Sequence, residues 1–291
     1  METRPSCPIC QHSMKSQLEP WLQHCTSCDL WVSSLSPSAD LTSNNSDLLQ
    51  ENQRRDALKY LRQANFRTIF DILNRFLPIR NKKILDVGCA YGWFLEIATA
   101  KGAIATGVEP ETEVANLGKQ QGWDIRLGYF PDCLGEEEKF HAIAFNDAFE
   151  HFPDCHQVLK QCHQFLIPGG FLILNLPNSN GFFYRLASLL AKLGIKKPLH
   201  RLWQKDYPSP HLFYFNASNL HKLATQHGFY LLHSQSLPTL HLSGLWSRLR
   251  MDKRTSRLTA AFLYLAILFV YPILSILAPA DILLQIYQKQ E

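Results

Sequence analysis

Four cysteines open the chain in two pairs, Cys7-Pro-Ile-Cys10 and Cys25-Thr-Ser-Cys28. Each Cys-x-x-Cys pair can present two thiolates from one tight turn. Two facing pairs make the closed tetrahedral four-thiolate set that zinc prefers. With all four positions filled by protein, such a zinc is structural, not catalytic. A segment this short cannot bury a core, so the metal would supply its folding energy. A redox dithiol would use one pair beside a βαβ unit. His12 and His24 read as exposed loop residues, and Trp21, Leu30 and Trp31 as the side that docks on the rest of the chain.

A second chemical stretch is 82–92, KKILDVGCAYG. Ile84, Leu85 and Val87 make an apolar run that ends in Asp86 and Gly88, and Gly92 opens a helical pattern. This is a buried strand, a tight turn and a helix start. Glycine lets the backbone turn sharply and lets a ligand come close. The helix start offers unpaired N–H groups to polar ligand atoms. After a second short strand comes Glu109, where a carboxylate can accept both hydroxyls of a ribose. The dinucleotide fingerprint Gly-x-Gly-x-x-Gly is absent. Taken alone, the loop is equally well explained by glycines that only pack.

The elements that must position these residues alternate. Strands are expected at 83–87, 103–108, 124–127, 141–145, 171–176 and 229–236, with a last strand at 281–288. Helices are expected at 92–100, 111–121, 155–165 and 217–226. That alternation predicts an α/β fold with a doubly wound, mostly parallel sheet of seven strands. Ligands on such sheets bind beyond the carboxyl ends of the strands, where Asp86, Gly88, Glu109, Gly128, Asn146 and Asp147 fall. Before the sheet, 33–47 reads as a Ser/Asn/Pro-rich linker, and 48–77 as a helical stripe covering the edge of the cleft. The organisation expected is a ribbon at 1–35, a linker and covering helices at 36–80, and the main domain at 81–291. Two insertions interrupt that domain, a lid at 182–210 and a basic and apolar helical insertion at 239–278.

Several stretches together resemble the class I S-adenosylmethionine (SAM)-dependent methyltransferases, in the branch of the ubiquinone-type O-methyltransferases. They are Asp-x-Gly-x-x-x-Gly with the later Glu109, then FHAIAFNDAFEHFPD at 140–154, LIPGGFLILNLPN at 166–178 and HLFYFNASNLHKLATQHGF at 211–229. The resemblance runs through 71–237. It implies that Asp86, Gly88, Cys89, Ala90 and Gly92 line SAM and that Glu109 holds its ribose. Tyr129 and Phe130 would lie near adenine, with Asn146 and Asp147 beside the methyl donor. Ala90 stands where many members have Gly, and His141 where Asp is usual.

Methyl transfer from a sulfonium has a neutral leaving group, so alignment supplies much of the rate. An oxygen nucleophile still has a proton to lose, and His151 is placed to take it. Glu150-His151 could equally brace the loop. Some relatives bind a divalent cation with an acidic-x-x-Glu-His set, which Asp147, Glu150 and His151 match. His211 and Tyr214 could reach the substrate side. Cys155 and Cys162 lie about two helical turns apart, so ordinary buried thiols account for them, and Cys89 and Cys133 need no special role.

The 182–195 segment is an amphipathic helix pattern followed by Lys196, Lys197, Arg201 and Trp203. After it, 248–257 is basic and 258–277 almost wholly apolar. The last strand must rejoin the sheet, so a single membrane crossing is disfavoured; contact with a membrane surface through 182–205 and 248–278 is expected, with a buried or dimer-forming helix at 258–277 as the alternative.

The 291 residues, 46% of them hydrophobic, exclude general disorder, and a net charge of +4 does not by itself imply nucleic acid. Residues 1–20 lack an apolar leader, which with eight cysteines points to a reducing cytoplasmic setting. The expected function is transfer of a methyl group from SAM to oxygen of a small-molecule, glycan or lipid-linked acceptor. An RNA methyltransferase gripping nucleic acid through the ribbon is disfavoured. Residues 1–32 carry Arg4 and Lys15 against Glu2, Glu19 and Asp29, a poor footprint for a polyanion. The other alternative, a non-catalytic interaction protein, fits poorly with an intact Asp86, Gly88, Gly92 and Glu109.

Overall fold

The computed structural model describes residues 5–36, 46–238, 246, 249, 256–277 and 280–290. In the first stretch, β1 (Lys15–Gln17), β2 (Glu19–Cys25) and β3 (Leu30–Ser33) form an antiparallel meander. Helix α1 (Ser46–Leu73) follows as one continuous helix where several covering helices were expected. Linker residues 37–45 lie outside the described residues.

The alternating segment then builds the main sheet. Its elements are β4 (Lys83–Val87), α2 (Trp93–Ala100), β5 (Ile104–Glu109), α3 (Thr112–Gln120), β6 (Asp124–Leu127), β7 (Phe140–Asn146), α4 (Cys155–Phe165) and β8 (Leu166–Pro177). After β8 come α5 (Phe182–Lys192), α6 (Lys197–Leu202), β9 (Phe213–Tyr214), α7 (Ala217–Thr225), β10 (Phe229–Leu237), α8 (Arg257–Leu277) and β11 (Ile282–Lys289). The seven-stranded sheet has the order β10-β11-β8-β7-β4-β5-β6. All neighbours from β8 to β6 are parallel, and β11 runs antiparallel to both β8 and β10. The chain leaves β4 toward β5 on one side and returns to β7 on the other. The point between β4 and β7 is therefore where the strand order reverses and a crevice opens.

Parallel strands buried on both faces read as continuous apolar runs, and successive residues supply opposite faces. Leu85, Val87, Ile143, Phe145, Leu172 and Leu174 pack with α4, α7 and the cysteine ribbon. Ile84, Ala142, Ala144 and Ile173 face the other way, against Phe66, Ile69 and Phe70 of α1 and Phe94 of α2. His141 has a local structural use: its Nδ1 accepts the Lys83 amide at 3.2 Å, tying the starts of β7 and β4.

The ribbon is not a separate appendage. Strand β3 pairs antiparallel with β9, Trp31 opposite Tyr214 and Val32 opposite Phe213, giving a second sheet in the order β1-β2-β3-β9. Trp21 meets His200 and Trp203 edge-on, each at 5.9 Å, and Trp31 meets Tyr184. Leu30 is buried with Cys7, Ile9 and Cys25. His24 departs from expectation: it sits on β2, stacked on Trp31 at 4.0 Å and bonded to Asp29 at 2.7 Å.

Of the basic run 248–257, only 249, 256 and 257 fall among the described residues. Helix α8 exposes Leu258, Phe262 and Leu265 along one stripe. Among the described residues no helix is long and apolar enough to cross a membrane.

Candidate active site

The carboxyl ends of β4 and β5 meet in the glycine loop. Asp86 is the buried penultimate residue of β4. Gly88 and Gly92 take φ of 73° and 77°, and Ala90 takes 45°. A Cβ on Gly88 would stand 2.8 Å from the Ala148 Cβ, so this turn has no room for a side chain as well as an unfavourable backbone for one. Cys89 is buried, with its sulfur over Gly107 of β5, where a Cβ would lie within van der Waals overlap. Its role is packing. Glu109 closes the loop: its Oε2 accepts the Ala90 amide at 2.9 Å and its Oε1 the Glu111 amide at 3.0 Å.

Asp86 is held from the next strands. Asn146 Nδ2 donates to Asp86 Oδ1 at 2.9 Å, and Asn175 Nδ2 donates to Asn146 Oδ1 at 3.1 Å. Burial pushes the Asp86 carboxyl up to about 7, the nearby Glu109 adds to the rise, and the Asn146 bond opposes it. Burial likewise raises Glu109, against the two amides it accepts. Asp147 departs from the strand with φ 53° and pairs with Arg62 of α1 at 3.0 Å. Arg62 was not singled out in the sequence; a cation in an apolar helical stripe carries no mark of the partner it will reach. Tyr129 is 70% exposed beside the loop, but Phe130 is in the core against Phe145 and Phe165. Of that pair, Tyr129 is the side chain free to meet a ligand.

Next to this cleft lies a cavity of about 650 Å³. Leu61, Arg62 and Phe66 of α1 form one side and Phe183, Ala187 and Leu190 of α5 another. Leu202, Glu150, His211 and Tyr214 complete the wall that matters for chemistry. Glu150 is 1% exposed and neither carboxyl oxygen has a hydrogen-bond partner. Burial raises it well above the ordinary carboxyl range, and Asp147 adds to the rise. His211 Nε2 is 3.9 Å and His151 Nε2 is 4.0 Å from Glu150 Oε1. Burial lowers both imidazoles, His211 to about 3. His151 Nδ1 is 3.0 Å from the Pro210 carbonyl, which holds the proton there and leaves Nε2 as the basic nitrogen.

The expected set Asp147, Glu150 and His151 is thus regrouped. Glu150, His151 and His211 converge within 4.8 Å, and Asp147 turns to Arg62. His151 stands behind the cavity wall, while Glu150 and His211 line it. Cys155 and Cys162 are buried in α4, as thiols in a core.

The four N-terminal sulfurs fit zinc. All lie within 4.8 Å of one another, with Cys7–Cys28 at 3.5 Å and Cys10–Cys25 at 3.4 Å. A tetrahedron with Zn–S bonds near 2.3 Å spaces its sulfurs about 3.8 Å apart. Burial raises the Cys7 thiol to about 11 and raises Cys28 as well, so these two need a nearby cation to stay ionised, whereas, against burial, hydrogen bonds with His12 and Cys25 bring Cys10 down to about 6.

The Asp86 carboxyl gives a testable sign. Its folded pKa lies near 7 and its ordinary value is 3.8. Between these the unfolded chain is ionised at this position and the folded chain is protonated, so stability falls as pH rises through that window. Asp86→Asn keeps an oxygen for Asn146 and removes the buried acid. At pH 8 the ligand-free variant should gain about 1–3 kcal/mol in urea unfolding. A variant less stable than wild type there would contradict this account of the site.

A family described as "Methyltransferase domain" matches residues 60–234. The ubiquinone biosynthesis O-methyltransferase of Pseudomonas entomophila is 30% identical over 149 residues, which are 46% of this chain and 64% of that protein. The chain therefore spans less than two thirds of that relative. A SAM-dependent methyltransferase from Archaeoglobus fulgidus superposes with a TM-score of 0.52 at 14% identity, covering 84% of this chain and all of that one. The magnesium protoporphyrin IX methyltransferase of Synechocystis, solved with bound S-adenosylhomocysteine (SAH), gives 0.52 at 12% identity over 67% of this chain and 90% of its own. The strand order with its antiparallel β11, the glycine loop and the family match agree: the chain belongs to the methyltransferase-domain family and has the class I SAM-dependent methyltransferase fold.

Proposed function

We propose that this protein transfers the methyl group of SAM to an oxygen of an amphiphilic small molecule. The observation that carries the reading is the placement of the cavity. It opens beside Asp147 and Asn175 at the carboxyl edge of the sheet, so an acceptor in it meets a donor lying over the glycine loop. In this reading Asp86, Gly88, Ala90, Gly92, Asn146 and Asp147 line the cofactor, Cys89 contributes its backbone alone, and Tyr129 covers its base. Glu109 takes the ribose hydroxyls on lone pairs left after the two amides, since each carboxylate oxygen can accept more than one hydrogen bond. SAM supplies the electrophilic methyl. The chain's own contribution is to hold the acceptor oxygen in line and receive its proton.

Glu150, His151 and His211 are the group for that proton. Glu150 faces the acceptor, and its raised pKa makes its carboxylate a stronger base than an exposed one. His151, neutral and oriented by Pro210, stands behind it. The same three residues offer a mixed nitrogen and oxygen set that suits zinc, iron or manganese better than magnesium. The unpartnered Glu150 oxygens favour that second reading of the group as a divalent cation site.

The wall supports an acceptor with an apolar part. Leu186, Leu189, Leu193 and Ile195 are 40–71% exposed on and just beyond α5. Lys192, Lys196 and Lys197 border them. An apolar stripe with a basic edge suits the surface of an anionic membrane, from which a lipid-linked acceptor could enter the cavity. The oxygen specificity rests on the similarity to the ubiquinone biosynthesis O-methyltransferases.

Three measurements test this reading. Calorimetric titration with SAH should give micromolar binding that falls at least about tenfold in Glu109→Ala, the scale of lost hydrogen bonds to a carboxylate. No binding by folded wild-type protein would remove the methyltransferase reading. With labelled SAM and hydroxylated aromatic acceptors bearing or lacking an apolar chain, Glu150→Gln should lower kcat by about 10²–10⁴. The wild-type rate should rise with pH through the raised pKa of the group, because the base acts only when deprotonated. A rate that falls over that range would exclude Glu150 as base. Finally, the protein should sediment with vesicles containing anionic phospholipid, and Leu189→Ser with Leu193→Ser should reduce this about tenfold. Equal sedimentation with neutral and anionic vesicles would sink the membrane element.

A further inference from the structure

Among the described residues the cysteine ribbon does not line the cavity but backs two of its walls, segment 211–214 and α6. On one side β3 pairs with β9, and this pairing continues past the strand. The Ser33 amide donates to the Leu212 carbonyl at 2.9 Å, and Ser33 Oγ donates to the His211 carbonyl at 2.7 Å. The Leu212 amide donates in turn to the Glu150 carbonyl at 2.9 Å. A continuous path of backbone bonds therefore runs from the ribbon to His211 and Glu150. The domain grips the ribbon from beneath as well. Asn219 Nδ2 donates to the Cys28 carbonyl, Gln226 Nε2 to the Ile9 carbonyl, and His156 Nε2 bonds the Pro8 carbonyl at 2.8 Å.

On the other side Glu19 reaches α6. Its Oε1 lies 3.0 Å from His200 Nε2 and 3.1 Å from Lys196 Nζ, and its side chain is 8% exposed. Burial alone would raise this carboxyl, but the two partners bring it below its ordinary range. Above the clasp, Trp203 is fully buried between Trp21 and Tyr214. Helix α6 and the turn after it supply Pro198, Arg201, Leu202 and Gln204 to the cavity. Its six residues cannot hold their place by helix propensity. Their position must come from what they pack on: α5 and Tyr214 on the domain side, and Leu22, Trp21 and Glu19 of the ribbon.

We infer that the ribbon is the backing that holds two walls of the acceptor cavity, α6 and segment 211–214, in place, and that Glu19 is a positioning residue that clasps α6 against it. This rests on the proposal that the cavity is the acceptor site. Its consequence is a division of labour: the four cysteines govern the acceptor side, while the cofactor cleft between β4 and β5 stands without them.

The test is amide hydrogen exchange on the full-length protein as purified, read in peptides from α6 and, as internal reference, from β4 and β5. Glu19→Ala should raise exchange in α6 by roughly tenfold or more, as expected for losing a buried carboxylate with two partners. Glu19→Gln, which can still accept from both, should restore most of the protection. His200→Ala, at a partly exposed position, should reproduce the direction of Glu19→Ala. Stripping the metal with a chelator should open α6 and β9 together, with exchange in β4 and β5 and SAH affinity changed less than about twofold. Unchanged α6 exchange in both Glu19→Ala and His200→Ala overturns the clasp. So does equal loss of protection in β4 and β5, which would make the ribbon a support of the whole fold. Absence of SAH binding by wild-type protein would strike the methyltransferase reading and leave the exchange result to be judged on its own.

Discussion

The two oxygens of Glu109 each receive a backbone amide, one from Ala90 in the loop after β4 and one from Glu111 after β5. Much else at the carboxyl edge follows from this. A buried carboxylate that has lost its water must be repaid in hydrogen bonds, and here the donors come from the two strand ends. The loop is thereby pinned against β5, which forces Gly88 and Gly92 into left-handed conformations and presses Cys89 onto Gly107. With both amides accepted, the carboxylate is held still where the two strand ends meet.

A second constraint is the sharing of a strand partner between the two sheets. Strand β9 is two residues long and would be a poor element alone. It exists because β3 offers an edge, and β3 exists because the turns that bear the cysteines fix β2 and β3 in register. A local, metal-compatible cluster at one end of the sequence therefore decides where His211 and Tyr214 stand, nearly two hundred residues later. The loss of chain entropy in bringing such distant segments together is offset by aromatic burial: Trp21, Trp31, Tyr184, Trp203 and Tyr214 form one continuous stack of contacts.

The parts legible in the sequence were those with a period or a fixed spacing. Strands 83–87 and 124–127 and helix 155–165 have the expected bounds, because the residue pattern that sets them is local. The fold class followed from their alternation. The four cysteines were legible because two Cys-x-x-Cys turns have few other uses. What sequence could not show was direction and distance. Glu150 and His151 are adjacent, yet they lie in a 3-10 turn, where each residue rotates by about a third of a circle. One side chain therefore lines the cavity and the other stands behind it. Tyr129 and Phe130 split in the same way, one to solvent and one to the core. Arg62 meeting Asp147 and Glu19 meeting His200 are encounters between remote segments, and neither partner carries a local signature of the other.

The lid is held by carboxylates from opposite ends of the chain. At its root, Asp281 Oδ1 accepts the Phe183 amide, where a helix start favours a negative group. Gly181 must lack a side chain there, since a Cβ would run into the Asp281 backbone, its Cα 2.7 Å away. Asn178 adds its own bonds to the backbone of Ala280 and Asp281, so the return of the chain into β11 is welded to its departure from β8. At the far end Glu19 takes His200 and Lys196. Between these anchors α5 presents Leu189 outward, while Leu186, Ala187 and Leu190 line the cavity. The helix is also held along its inner face, where Tyr184, Ala187 and Ala191 are buried with Leu199, Trp203 and Tyr214. The anchors differ in kind: the root is bonded to the sheet itself, whereas the far end depends on the ribbon.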